Sequence, residues 1–287
     1  MSIKHILVAL SGEAAASHVP LCALNLARRL SAHVTATDTV GDATIYFDST
    51  GVGLAPADYQ QIQSAMDKAQ AHNRARARKA FDDAVAVAKV PIVDRPSCDG
   101  TSALWVDGST LGGSAVTALG RLADLVVIDR PGEKGGIADL DSMETAVFTV
   151  HRPVLVVPHG VSEIGETAAI AWNGSAEAAN AVERALDLLA PSTKVAIIQV
   201  GELRPAAASP EELITYLGWH GFKSVEYHHI ADEPKATGKL VLKTAKAVGA
   251  GLLIMGAYTH SRFREMLLGG VTDHILKKTH IPVLLAH

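Results

Sequence analysis

The sequence predicts an α/β fold made of two tandem open parallel sheets with helices on both faces. Short apolar runs alternate with helical patterns along the whole chain, which is typical of repeated βαβ units. Several runs, such as residues 252–255 (LLIM), are continuously apolar. Such runs indicate strands buried on both faces of a parallel sheet. An ordered set of segments also occurs twice, which predicts a duplication.

The bulk composition limits the class of protein. A chain of 287 residues with 48% hydrophobic residues is long enough to bury one large core or two ordinary ones. The formal net charge of −4 argues against nucleic-acid binding driven by overall charge. The two cysteines, Cys22 and Cys98, form no C-x-x-C motif. No apolar stretch is long enough to span a bilayer, and residues 1–10 are interpreted as a strand instead of a signal peptide, so we expect a cytoplasmic protein.

The duplication divides the chain near its midpoint. Three pairs of segments correspond in the same order: residues 6–12 with 168–174, residues 124–128 with 251–255, and residues 151–157 with 280–286. The turn-rich segment between the copies, PHGVSEIG at residues 158–165, is interpreted as a linker. We therefore predict one domain over residues 1–158 and a second over residues 166–287.

In the first copy, five strands are expected near residues 3–10, 33–40, 90–94, 125–129 and 154–157. The helix after the first strand carries Leu21, Leu24 and Leu30 on one side. A polar segment, residues 41–56, precedes a long helix over about residues 58–89. The middle of that helix is basic, which would suit RNA or a solvated face; the absence of aromatic residues there favours the solvated face.

In the second copy, strands are expected near residues 167–172, 194–200, 224–229, 252–255 and 283–285. The first helix, residues 176–189, places Ala178, Val182 and Leu186 on one face, as core-facing helices require. The sequence Ser209-Pro210-Glu211-Glu212 is a helix start signal, because Ser caps, Pro suits the first position and acids favour the first turn. A further helix is expected over residues 235–248.

One stretch in the second copy carries a binding motif. The fourth strand stops at Gly256, a polar loop follows, and the pair Gly269-Gly270 precedes a helical pattern. Glycines that end a strand and open a helix can direct backbone N–H groups and a helix N-terminus at one anion, typically a phosphate. The alternative is that Gly256 makes a tight turn and the Gly-Gly pair only breaks a helix.

The spacing of these residues resembles the G-x-x-G-x9-G-S/T nucleotide loop of the universal stress protein family. Gly256 and Thr259 are followed by nine residues and then by Gly269, Gly270, Val271 and Thr272, with Met255 before the loop and a terminal strand after it. Thr259 stands where the family has its second glycine, and Gly270 where it has Ser or Thr. The resemblance covers nearly the whole chain as two copies and implies a strand order of 3-2-1-4-5 in each.

In an open sheet of that order, ligands bind where the strand order reverses, between the ends of the first and fourth strands. The resemblance implies ATP or another adenine nucleotide there, with or without Mg²⁺. Asn173 replaces a family aspartate at the base or ribose, and Val200 would pack against adenine. Arg262 could pair with a phosphate oxygen or with Glu265. The implied binding residues are Ala171, Trp172, Asn173, Val200, Met255, Gly256, Thr259, Arg262, Gly269, Gly270, Val271 and Thr272.

The first copy lacks this motif. Asp129 stands in place of Gly256, and Leu140-Asp141 in place of the Gly-Gly pair. A leucine and two carboxylates would obstruct and repel a phosphate, so we predict that the first copy binds no nucleotide. In the family, terminal strands of two domains pack together, so residues 154–157 and 283–285 could form a pseudo-dimer within this one chain, with a further homodimer as an additional possibility.

Other chemistry has less support in the sequence. His228 and His229 are adjacent in a predicted strand and point to opposite faces, so we expect no metal site. Neither a Walker lysine nor a Gly-x-Ser-x-Gly elbow occurs, so any ATPase activity would be slow and no catalytic residue is assigned. Three functions remain open: a nucleotide-dependent stress regulator with an unknown protein partner, a nucleotide-free interaction scaffold, and a slow ATPase.

Overall fold

The computed structural model describes residues 3–12, 16–39, 56–96, 100–111, 114–131, 137–190, 193–233, 236–257 and 270–287. Within these residues the chain forms one ten-stranded sheet with helices on both faces. The strand order is β3-β2-β1-β4-β5-β10-β9-β6-β7-β8. The predicted α/β class is therefore confirmed, and the order 3-2-1-4-5 occurs once in each half.

The first half comprises strands β1 (His5–Leu10), β2 (His33–Asp38), β3 (Ser102–Val106), β4 (Leu125–Asp129) and β5 (Val154–Val157). Its helices are α1 (His18–Leu30), α2 (Pro56–Ala88), α3 (Ala115–Gly120) and α4 (Ile137–Glu144). A short 3-10 turn, Gly108–Thr110, follows β3, and a π-helical turn, Thr145–Thr149, follows α4.

The second half comprises strands β6 (Thr167–Ala171), β7 (Lys194–Val200), β8 (Val225–Ile230), β9 (Leu252–Gly256) and β10 (Val283–Ala286). Its helices are α5 (Ala176–Ala185), α6 (Pro210–Trp219), α7 (Thr237–Ala247) and α8 (Gly270–Lys278). The start signal of α6 forms as expected: Glu212 N donates to Ser209 Oγ at 3.2 Å and Ser209 N donates to Glu212 Oε2 at 2.7 Å.

The sheets of the two halves are joined by one antiparallel strand pair. Leu155 of β5 lies opposite Leu284 of β10, and all other strand pairs in the sheet are parallel. Both leucines are fully buried. The pairing of terminal strands expected within the chain is therefore present, and it joins the two predicted sheets edge to edge.

The third strand of the first half differs from its predicted position. Residues 90–94 contribute only an isolated bridge between Ile92 and Ala103, and the strand itself is Ser102–Val106. Ala103 N donates to Pro91 O and Val93 N donates to Ala103 O, but Pro91 has no N–H, so the ladder cannot extend in its N-terminal direction.

The core forms two layers, one on each face of the sheet. One layer contains α1, α2, α5 and α6, and the other contains the remaining helices. The basic stretch of α2 pairs with its own acids: Arg78 lies 3.0 Å from Asp82 and Lys79 lies 2.8 Å from Asp83. These i,i+4 pairs fit a solvated helix face. In the part of the chain that the structure describes, no helix is both long and apolar enough to cross a bilayer.

Candidate functional site

The carboxyl ends of β6 and β9 lie side by side in the second half, where the strand order reverses. Ala171 pairs in register with Met255, and β7 lies on the other side of β6. Because β10 runs parallel to β9, the crossover helix α8 must begin at this same edge of the sheet. Two strand ends and one helix N-terminus therefore share the edge at which an open α/β sheet binds ligands.

Apolar residues from four neighbouring strand ends lie on the α7–α8 face, and we call them the exit cluster: Ala171, Val200, Ile230, Met255 and Ala257. Met255 and Ala257 are buried, whereas the other three are partly exposed. Three members of the exit cluster were expected in the site. Ile230 and Ala257 were not, although the positions of both at the ends of apolar strand runs could have indicated them. Such a surface suits the flat face of an aromatic base.

Trp172 lies on the opposite face of the sheet from Ala171 because successive strand residues alternate. Its indole is buried among the residues of α5 and α6, and its Nε1 donates to Ala208 O at 3.0 Å. The structure therefore does not bring Trp172 together with the exit cluster. The sequence predicted its place at a strand end but not the face it occupies.

The loop between β6 and α5 is ordered by local hydrogen bonds. Asn173 is exposed, and its Oδ1 accepts from Ser175 N at 3.1 Å. Ser175 Oγ in turn accepts from Ala178 N at 3.2 Å and caps α5. The side-chain oxygen of Asn173 therefore accepts a hydrogen bond within the loop. The side-chain N–H groups of Asn173 can still donate hydrogen bonds to a ligand.

Gly256 is required by the close approach of β9 to the first turn of α5. A Cβ placed on Gly256 would lie 2.6 Å from Ala178 N and 2.7 Å from the carbonyl carbon of Glu177. Both are backbone atoms, so no side chain can be accommodated without moving the helix or the strand. The glycine thus brings the end of β9 against the start of α5.

Helix α8 places three more of the expected residues at the same edge. Gly270 and Val271 are exposed in its first turn, whereas the side chain of Thr272 is buried. A Cβ on Gly270 would meet no atom of the described residues within 4 Å. The first-turn acid Asp273 pairs with Lys277 at 2.9 Å, which offsets its charge. Thr259, Arg262 and Gly269, and also Glu265, lie outside the described residues.

The corresponding edge of the first half is filled by protein. A Cβ on Gly12, which has a φ of +69°, would collide with Asn73 O, so α2 packs directly against Gly12 at the end of β1. Arg74 of the same helix lies 3.3 Å from Asp38, which is fully buried at the end of β2. Asp38 Oδ2 also accepts from Gly108 N at 2.9 Å. These contacts hold helix α2 over the carboxyl ends of the strands in the first half.

Carboxylates line the rest of this edge. Asp129, at the end of β4, lies 3.3 Å from His18 Nε2, and its Oδ1 accepts from Arg130 N at 2.8 Å. Asp107 lies 3.6 Å from Arg74, and a hydrogen bond from the Ser109 hydroxyl lowers the pKa of Asp107 below its ordinary value. Among the described residues, no group of three or more His, Cys, Asp or Glu side chains is placed to hold a metal ion.

Comparison with known proteins agrees with this architecture. Residues 219–287 match the model of the universal stress protein family. The curated universal stress protein Slr1230 of Synechocystis is 28% identical over 172 residues, which cover 56% of this chain and 57% of that relative. The chain therefore aligns with little more than half of that relative's length.

Two solved structures share the fold along nearly the whole chain. A universal stress protein from Archaeoglobus fulgidus superposes with a TM-score of 0.64 at 14% identity, covering 98% of this chain and 95% of its own. The functionally unknown protein PA1789 from Pseudomonas aeruginosa superposes with a TM-score of 0.55 at 14% identity, covering 99% and 92%. The family match over residues 219–287, the curated relative and the shared fold all point to the universal stress protein family.

Proposed function

We propose that the chain is a tandem stress protein whose second domain, residues 166–287, binds one adenine nucleotide. Its role is then regulatory: nucleotide occupancy controls a cytoplasmic stress response through a protein partner. The first domain, residues 1–158, is structural or partner-binding. The observation that carries the proposal is the convergence of the β6 and β9 ends, the exit cluster and the start of α8 at one edge of the sheet.

The base is expected to lie on the exit cluster. Val200 and Ala171 are partly buried there and offer apolar contact next to Met255. Burial of an aromatic ring against such a surface is favourable by about 25 cal/mol per Å² of apolar area removed from water. Asn173, at the rim, supplies amide donors for the base edge or ribose.

The phosphates are expected at the N-terminus of α8. The first four N–H groups of a helix have no partner within it, and the helix dipole adds partial positive charge at that end. Gly270 and Val271 contribute such amides, and the open space around Gly270 leaves room for a phosphate oxygen to approach. The pairing of Asp273 with Lys277 reduces the repulsion that an acid in this turn would otherwise cause.

The first half is proposed to bind no nucleotide. Helix α2 occupies the space above Gly12, and three carboxylates, Asp38, Asp107 and Asp129, lie around the strand ends. A polyphosphate brought there would have to displace the helix and face like charges. Steric exclusion and electrostatic repulsion therefore act in the same direction.

The test uses two substitutions of Gly270. Gly270→Asp places a carboxylate where a phosphate is expected, while an acid in the first turn of a helix does not oppose folding. Gly270→Ser adds a hydroxyl at the same position without charge. Purified wild-type protein is denatured and its supernatant assayed for adenine nucleotide, and ATP affinity is then measured by calorimetry.

We expect Gly270→Ser to bind ATP at least as tightly as the wild type, and Gly270→Asp to bind about tenfold more weakly or worse because of charge repulsion. Thermal unfolding of both variants in the absence of nucleotide should match the wild type. If Gly270→Asp bound ATP as tightly as the wild type, the phosphates would not lie at the N-terminus of α8.

A nucleotide-free interaction scaffold is the second candidate function. It is favoured by the packing of Gly174, whose added Cβ would lie 2.6 Å from both Ala207 Cβ and Ala208 O, and by the engagement of Asn173 Oδ1 with Ser175. These contacts fill part of the space beside the end of β6. Absence of any ATP binding in the folded wild-type protein would select the scaffold.

A further inference from the structure

A cavity lies in the second half, on the face of the sheet opposite the exit cluster. It is a groove of about 680 Å³ between α5 and α6. Trp172, Val182 and Leu213 form its apolar floor, and all three are buried. This volume falls in the range of pockets that hold small organic molecules, about 300–1,000 Å³. The groove shares no lining residue with the exit cluster.

The groove exists because the two halves pack their helices differently. In the first half, α1 and α2 pack directly against each other, and α2 buries Phe81 completely, 5.6 Å from the ring of Trp105. In the second half, the corresponding helices α5 and α6 scarcely touch within the described residues. The ten-residue α6 leaves open the space that the longer α2 fills.

Aromatic rings border the open side of the groove. Tyr216 and Trp219 are three residues apart on α6 and therefore lie on the same side of that helix. Trp219 is 80% exposed, which is unusual for a tryptophan that is not covered by a partner. Together with Trp172 on the floor, these rings offer three π-faces or edges to an occupant.

The charged residues that line the described part of the groove have one sign. Its described lining includes the carboxylates of Glu183, Glu211 and Glu212, and no lysine, arginine or histidine. Arg184 beside Glu183 and His220, whose ring centroid lies 4.7 Å from that of Tyr216, lie outside this lining. Glu183 lies 3.2 Å from Arg184, and Glu212 completes the cap of α6. Glu211 is exposed in the first turn of the same helix. Burial, followed by the negative charge of Glu183, raises the pKa of Tyr216 above its ordinary value.

We propose that this groove binds a small organic cation with an aromatic or apolar body. The body would lie on Trp172, Val182 and Leu213, and the positive group would lie between Glu211 and the rings of Tyr216 and Trp219. Aromatic faces and carboxylates both attract a cation, whereas an anion such as a nucleotide is repelled. The occupant is therefore different from that proposed for the exit cluster.

The experiment compares three probes of similar shape and different charge: 3-phenylpropylammonium, 3-phenylpropanol and 3-phenylpropionate. The full chain is labelled with 5-fluorotryptophan, whose three resonances are assigned with Trp105→Phe, Trp172→Phe and Trp219→Phe. We expect the ammonium probe to shift the resonances of Trp172 and Trp219 and to leave that of Trp105 unchanged. The alcohol should bind more weakly, and the propionate more weakly still.

Two variants test the position and the charge. Ala179→Phe, on the exposed wall of the groove, should fill it and abolish binding of the ammonium probe. Glu211→Gln should weaken binding of the ammonium probe about threefold or more and leave binding of the alcohol unchanged. Only the cation interacts with the charge of Glu211. Glu233→Gln, which removes an exposed carboxylate outside the groove lining, should leave both affinities unchanged.

Other outcomes would overturn the proposal. Equal affinity for all three probes, or a loss in Glu233→Gln that equals the loss in Glu211→Gln, would show that the groove does not select a cation. A shift of the Trp219 resonance with protein concentration alone would show that a second copy of the chain covers it. Unshifted resonances of Trp172 and Trp219 at millimolar probe would exclude a binding site there.

Discussion

At the scale of single residues, the environment of each side chain decides whether it contributes to stability or to a site. His33 is buried in the first half, where its Nδ1 lies 2.8 Å from Ser102 Oγ and its ring centroid lies 5.8 Å from that of His5. Burial, followed by the charge of His5, lowers the pKa of His33 below 6.5. A buried imidazole with these neighbours is kept neutral in the folded protein.

This depressed pKa makes stability depend on pH. Because the unfolded chain binds the His33 proton more readily, the free energy of unfolding should fall as pH drops from about 7 to about 5. The contribution of neutral His33 to the free energy of unfolding is fully present above pH 6.5 and is lost as the pH falls below that value. Urea unfolding of His33→Gln should show a shallower pH dependence over this range, and the exposed control His280→Gln should retain the wild-type slope. Identical slopes for His33→Gln and wild type would contradict the assignment.

The two glycines of the candidate site should respond oppositely to alanine. Gly256→Ala forces a methyl group against the backbone of α5 and should lower stability by about 1–3 kcal/mol. Gly270→Ala meets open space within a helix and should be neutral or stabilising by up to about 1 kcal/mol. Chemical denaturation of the two variants measures the difference. A Gly256→Ala variant as stable as the wild type would mean that β9 and α5 are not in close contact.

The sequence indicated which strand ends lie together but not the directions in which their side chains point. Ala171, Val200 and Met255 meet at the strand ends, as expected from apolar runs and glycines. Trp172 lies on the other face, and Asn173 directs its oxygen to Ser175. The face of the sheet on which a strand-end residue lies depends on the register between neighbouring strands. A short stretch of sequence does not contain that information.

At the scale of secondary-structure elements, local sequence signals define where most elements begin. Ser209 and Glu212 form the reciprocal cap of α6, and Pro210 occupies its first turn. Helices α2, α5 and α7 also begin within two residues of their expected starts. The strand expected at residues 90–94 is the exception, because the partner strand pairs with residues further along the chain.

The cap of α6 should make a measurable contribution to the free energy of unfolding. Ser209→Ala removes the acceptor for Glu212 N and should cost about 1 kcal/mol. Thr215→Ala, in the exposed middle of the same helix, is the matched control and should change stability by less than about 0.5 kcal/mol. Urea unfolding monitored by circular dichroism compares the two. A larger loss in Thr215→Ala than in Ser209→Ala would contradict the role of the cap.

At the scale of the whole molecule, the β5–β10 pair makes one sheet out of two duplicated halves. The duplication, visible in three pairs of corresponding segments, was sufficient to predict two similar five-strand arrangements. The different covering of the strand ends in the two halves was harder to predict from the sequence. Helix α2 covers the strand ends of the first half through Asn73 and Arg74, which carry no motif that would indicate such a contact.

The shared sheet should couple the unfolding of the halves. Leu155→Ala and Leu284→Ala each remove a fully buried side chain from the joining pair and should cost about 2–5 kcal/mol. Single-tryptophan variants retaining Trp105 or Trp172 report on the first and second half separately, and their urea transitions should coincide and shift together. Leu122→Ala, at an exposed site, serves as the control. Two separate transitions in the wild-type background would mean that the halves unfold independently.

The central claim is functional asymmetry between two halves that share a fold: one half offers its strand ends to a nucleotide, and the other covers them with α2. Isothermal titration of the full chain with ATP tests this claim most directly, because its stoichiometry counts the sites. The account predicts one nucleotide per chain, bound in a way that Gly270→Asp disrupts. Two equivalent sites per chain, or one site that Gly270→Asp leaves unaffected, would contradict it.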